Sequence, residues 1–158
     1  MKKITLQTLF SYCALGLVLS ISTLSYAADV TGTWKTIDDK TGFAKSLIKI
    51  EKYTDGTYGG TVIKVLAHTG YTPEKYCVDC PEPFTHKPIE GMNILWGLMP
   101  NSSQDGLYDG GKILDPLSGH MYKAKMTLSP DGNTLNVRGY IGFSLLGRSQ
   151  IWHREGSH

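Results

Sequence analysis

Little in this chain could support catalysis or polymer binding. Neither a Gly-x-Ser-x-Gly elbow nor a His-Glu-x-x-His pair occurs, so the familiar serine-hydrolase and zinc-protease settings are missing. Ser102, Ser103 and Ser144 stand outside any such setting. The stretch Gly139-Tyr140-Ile141-Gly142-Phe143 has glycines but neither a lysine nor a helix start, which excludes a phosphate loop. Basic residues form no run, and 16 Lys and Arg stand against 14 Asp and Glu. That balance argues against nucleic acid as a partner. Helical periodicity is scarce after Ala28, and 18 glycines and 7 prolines interrupt the chain at short intervals. Antiparallel β structure is the class that tolerates such punctuation.

The one long apolar run, from about Leu9 to Ile21, follows Lys2-Lys3 and precedes Ser25-Tyr26-Ala27. A basic start, an apolar middle and small residues before a cut site are the pattern of a cleaved secretory signal over residues 1–27. As a membrane anchor the run is short and is broken by Ser11 and Ser20, so no stable membrane insertion is expected after cleavage. Cys13 does not read as a lipidation site, because bulky Tyr12 precedes it and the apolar run continues past it. Cleavage leaves residues 28–158 as one domain of 131 residues with 14 basic and 14 acidic side chains. A chain of that length buries about two thirds of its unfolded surface and needs no second domain. The expected location is periplasmic or secreted.

Alternation of apolar and polar residues predicts strands near Gly32–Ile37, Ala44–Lys52, Thr57–Leu66, Met92–Leu98, Gly106–Leu114, His120–Leu128, Thr134–Ile141 and Arg148–Arg154. Turn chemistry separates several of them, as in Thr54-Asp55-Gly56 and Ser129-Pro130-Asp131-Gly132-Asn133. Ile48 and Ile50 fall on one face and Lys49 and Glu51 on the other; Tyr122, Ala124, Met126 and Leu128 likewise oppose Lys123, Lys125 and Thr127. Eight strands can close a barrel just wide enough to be filled by its own side chains or to hold one small ligand. Gly32-Thr33-Trp34 opens this β region and Trp152-His153-Arg154 closes it. The pattern predicts a sealed end: Gly32 lets the backbone turn in, the Trp34 indole plugs the bottom, and Arg154 stacks on the indole. The expected fold is all-β, a single antiparallel eight-stranded lipocalin-like barrel.

The segments Gly110-Gly111-Lys112-Ile113-Leu114-Asp115-Pro116, Gly119-His120-Met121-Tyr122, Leu135 to Gly142 and Leu145 to Arg154 resemble a bacterial family of exported proteins catalogued as a domain of unknown function. Gly32 to Asp39 and the Cys77-x-x-Cys80 loop match as well. The resemblance implies an exported lipocalin-like, calycin-type barrel, with binding of an apolar small molecule as the usual inference from that fold.

Cys77-Val78-Asp79-Cys80 is the sharpest local motif. In an oxidising compartment it reads as a disulfide trimming a long loop. A redox role would need the first cysteine at a helix N-terminus, and Pro73 with Pro81-Glu82-Pro83 opposes such a helix. His68 and His86 could join the two thiolates at a metal, although the spacing fits no familiar zinc module. Asp38, Asp39 and Asp115 sit where turns want side-chain acceptors.

The pocket candidates are Ile48, Ile50, Trp96, Tyr122, Met126, Tyr140 and Phe143, with the apolar segment from Gly142 to Gly147 as a short lid or rim over the opening, or as packing. The function expected from these residues is binding of a small hydrophobic or amphipathic molecule, with no catalysis and no cofactor. One alternative is an envelope interaction protein with a filled barrel, using the loop from Ala67 to Gly91. A second is a redox or metal protein built on Cys77, Cys80 and a histidine.

Overall fold

The computed structural model describes residues 29–156, so the expected signal over residues 1–27 lies outside the described residues. Eight strands follow one another in chain order: β1 (Gly32–Ile37), β2 (Ala44–Lys52), β3 (Tyr58–Val65), β4 (Asn93–Pro100), β5 (Leu107–Leu114), β6 (Met121–Leu128), β7 (Thr134–Tyr140) and β8 (Gly147–Arg154). These agree with the periodicity to within one or two residues at each end. Every strand pairs antiparallel with its sequence neighbours, and β8 returns to β1 to close the barrel. Closure leaves no sheet edge open.

Strand direction sorts the connections between two ends. The turns β2–β3, β4–β5 and β6–β7 share the lower end with residues 29–31. The connections β1–β2, β3–β4, β5–β6 and β7–β8 share the upper end.

Alternation decides what fills the interior. Ile48 and Ile50 are buried while Lys49 and Glu51 are exposed; Ala124, Met126 and Leu128 are buried between more exposed neighbours. In the lower half large side chains leave no room, with Trp34, Leu98, Met126 and Leu135 fully buried. Tyr58 and Tyr108 meet edge to face there at 4.9 Å, a favoured aromatic geometry. Burial pushes the Tyr108 phenol up, and the neighbouring Tyr58 adds to it.

The lower end is sealed by Arg154, whose guanidinium lies 4.4 Å from the Trp34 ring centre. It also donates to the carbonyls of Gly132 (2.6 Å), Thr31 (2.8 Å) and Asp29 (2.7 Å). Trp34 Nε1 donates to the Val30 carbonyl at 2.9 Å. Gly32 has a second reason to be glycine besides its φ of 132°: a Cβ there would stand 2.7 Å from Arg154 Nη1.

The turn acids behave as the sequence implies, with one exception. Asp38, Asp55, Asp115 and Asp131 each accept a backbone N–H within their own turn. Asp39 instead reaches across the closing seam and accepts from Arg148 Nε (3.0 Å) and Nη2 (2.6 Å). It ties the β1–β2 turn to β8.

Cys77 and Cys80 are joined in a disulfide. The pair is buried rather than displayed on a loop tip. Cys77 Sγ lies 3.2 Å from the Pro116 carbonyl oxygen, and Gly119 comes so close to the Asp79 carbonyl that any Cβ would collide with it. The disulfide therefore docks the β3–β4 loop on the β5–β6 turn.

Candidate functional site

The upper half of the barrel is open. A cavity of about 480 Å³ runs from Trp152 to the upper rim, within the range of roughly 300–1,000 Å³ typical of small-molecule sites. Gly139 lies at an inward register position on β7, opposite Ala124, where Leu135 and Met126 fill the layers below. With no side chain at Gly139, Ile113 and Tyr122 come within 3.4 Å of where its Cβ would stand.

The cavity has two unlike walls. Ile113, Tyr122, Val137 and Val62 supply an apolar side. On the adjoining strands β8, β1 and β2, Gln150, Thr36 and Ser46 supply a polar side. The Thr36 and Ser46 hydroxyls share a hydrogen bond at 2.8 Å, and Gln150 Oε1 accepts from Trp152 Nε1 at 3.3 Å. These groups hold one another, yet a hydroxyl and a carboxamide keep spare capacity for a ligand.

Charge is confined to the mouth. Lys45 pairs with Asp38 at 3.5 Å and Arg148 with Asp39 at 2.6 Å. The backbone N–H groups of Thr41 and Lys40 hold the Asp38 carboxyl down at about 2. The Asp39 carboxylate pushes the Arg148 guanidinium up in turn. Among the described residues the lining contains no histidine or cysteine. The arrangement offers van der Waals contact and hydrogen bonds in a partly dry space.

Of the seven pocket residues read from the sequence, Ile48, Tyr122 and Tyr140 line the cavity. Ile50 and Met126 point into the barrel but belong to its filled lower half, one or more layers too deep. Trp96 pairs in register with exposed Lys112 and stacks at 6.0 Å on Phe84 of the β3–β4 loop. It serves as a seat for that loop and not as a wall of the pocket. Phe143 is 81% exposed and covers nothing. The segment from Gly142 to Gly147 forms part of the rim through Leu146 and Gly147, while its tip at Phe143 and Leu145 stands in solvent.

Gly139, Trp152, Gln150 and the Thr36–Ser46 pair were missed. Period two along β8 could have placed Gln150 and Trp152 with Arg154 on the inner face. The fully filled interior of the interaction-protein alternative is not what forms. The thiolate and imidazole site does not assemble either, because the two sulfurs are bonded to each other and His68 is stacked between Phe43 and Tyr71.

The comparisons with known proteins agree with this geometry at the level of fold. A comparison with curated proteins finds no match. Among solved structures the chain is similar to "Protein HP1028 from the human pathogen Helicobacter pylori belongs to the lipocalin family", with a TM-score of 0.67 and 17% identity. That similarity covers 82% of this chain and 85% of the other. The profile of a bacterial family described as "Uncharacterized protein conserved in bacteria (DUF2147)" matches residues 32–154. The chain thus belongs to the DUF2147 family and folds as a lipocalin-like barrel.

Proposed function

We propose that the protein is an exported, non-catalytic binder of a small amphipathic molecule, which it holds in the upper half of the barrel. The cavity above Trp152, apolar on one side and polar on the other, carries this reading. An apolar body laid against Ile113, Tyr122 and Val137 would turn its polar group toward Thr36, Ser46 and Gln150. A wholly apolar ligand would leave that polar side unused, so amphipathic ligands fit better. Export is supported by the leader pattern at residues 1–27 and by the disulfide, which oxidising compartments sustain.

Native mass spectrometry of protein purified from its own host tests the reading, together with titration by a solvatochromic fatty-acid probe. A co-purifying small molecule, or saturable binding with quenching of Trp152 emission, is expected. Protein of bare mass that binds no amphipathic probe would overturn it.

A further inference from the structure

The polar wall of the cavity lies deep. Thr36 pairs in register with Trp152 on β8 and with Ser46 on β2, so the two hydroxyl residues stand beside the floor. Thr36 is itself buried, at 7% exposure. Gln150 occupies the next inward position up β8, opposite Val137.

The hydrogen-bonding capacity of this wall is only partly spent. Trp152 Nε1 donates to Gln150 Oε1, which orients the carboxamide and leaves its NH2 with no acceptor among the described residues. The Thr36 and Ser46 hydroxyls share one hydrogen bond, and Thr36 Oγ1 also lies 3.4 Å from the Ser46 carbonyl oxygen. When Ser46 donates to Thr36 and Thr36 to that carbonyl, both hydroxyl hydrogens are used and lone pairs remain over. The wall therefore offers a donor from β8 and acceptors from β1 and β2. An alcohol or a carboxamide can use both kinds, whereas a carboxylate only accepts.

Formal charge lies at the rim and is balanced there. Lys40, Lys45 and Arg148 stand against Asp38, Glu74 and Asp115. Lys45 is paired with Asp38 and Arg148 with Asp39, and Asp115 accepts from Leu117 N and Ser118 Oγ in its own turn. Lys40 and Glu74 are exposed to water. Below these groups the lining carries no charged side chain. An ion brought to the polar wall would lose its water without meeting an opposite charge, a cost that a neutral group escapes.

We infer that the ligand is an amphiphile whose head group is uncharged and both donates and accepts hydrogen bonds, an alcohol or a carboxamide, and that it enters head first. The head reaches Gln150, Thr36 and Ser46, and the chain lies against Ile113 and Tyr122, which pair near the upper end of β5 and β6. The inference rests on the binding function proposed above and adds the class of ligand and its orientation.

Fluorescence titration at neutral pH with two solvatochromic probes tests it, a fatty acid and its primary amide, identical in chain and fluorophore. The native chain should bind the amide at least about tenfold more tightly than the ionised acid, which should still saturate at higher concentration. Gln150→Leu, which removes the donor from the wall, should weaken the amide about tenfold. Gln150→Lys, which sets a cation there, should reverse the order so that the acid binds more tightly. Circular dichroism checks that each variant is folded, and the native comparison decides alone if one is not. A native chain that binds the acid as tightly as the amide overturns the inference and leaves the binding function standing, because the head group would then sit in water at the rim. Amide affinity unchanged in folded Gln150→Leu, or amide preference retained in folded Gln150→Lys, overturns it as well. If the native chain binds neither probe, the proposed function falls and this inference with it.

Discussion

Arg154 closes the barrel over Trp34, joining the last strand to the first by one guanidinium 4.4 Å from one indole. Trp34 is fully buried, so Trp34→Ala should cost about 3–5 kcal/mol as a large-to-small core change. Arg154→Ala should cost less, and a double-mutant cycle should return a coupling of about 0.5–2 kcal/mol. Strictly additive losses in urea unfolding would contradict the contact. Gly32→Ala should also destabilise, because its Cβ would press on Arg154 Nη1. In an Arg154→Ala background that penalty should shrink.

Gly139 lies in the cavity wall beside Ile113 and Tyr122. Its Cβ would meet Ile113 Cγ2 and Tyr122 Cβ at 3.4 Å each, a tight contact but one that side chains can accommodate by small shifts. Gly139→Leu should therefore fold and place its branched end in the cavity. Saturable probe binding should fall at least about tenfold, with a stability change within about 1–3 kcal/mol. Unchanged probe affinity would show that ligands sit elsewhere.

Asp38 sets a pH limit on the β1–β2 turn. Its carboxyl is held at about 2, against an ordinary 3.8, first by the Thr41 N–H and then by the Lys40 N–H. A carboxyl depressed by folding stabilises fully above its unfolded value, and that contribution fades as pH falls from about 4 toward 2. The turn and its Lys45 pair should loosen in that window. An NMR titration of the Asp38 side-chain carbon should show the low midpoint, and Asp38→Asn should remove the dependence at this turn. An ordinary midpoint would contradict the turn geometry.

The disulfide should matter locally. The ring closed by Cys77 and Cys80 is short, worth about 2 kcal/mol in the chain-entropy account. Cys77→Ser, Cys80→Ser should raise amide exchange in residues 66–92 and at the β5–β6 turn where the sulfurs dock. Exchange deep in β6 and β7 should change little. Global unfolding of the variant would show that the loop supports the barrel itself.

Much of this fold was legible because it repeats locally. Ile48 and Ile50 against Lys49 and Glu51 state an inside and an outside within four residues, and the structure keeps that division. Gly32, Trp34 and Arg154 were readable as a pair of ends because only closure gives such residues a common task. The pocket was less legible. Ile50 and Met126 satisfy the same alternation as Ile48 and Tyr122, yet lie in the filled half. Period two tells which face a side chain takes and says nothing of its depth along the barrel axis.

The amino-acid sequence by itself determined an all-β chain, its strand boundaries to within a residue or two, its turn acids and its closing pair. These depend on side-chain alternation and turn chemistry over a few neighbouring residues. Only the tertiary structure decided that Gly139 lines a cavity, that Gln150, Thr36 and Ser46 form one polar wall, and that Asp39 belongs to Arg148 rather than to its own turn. It also set Phe143 and Leu145 in solvent at the mouth. Each of these depends on strand stagger and on which loops share an end, and so on contacts between residues up to 109 positions apart.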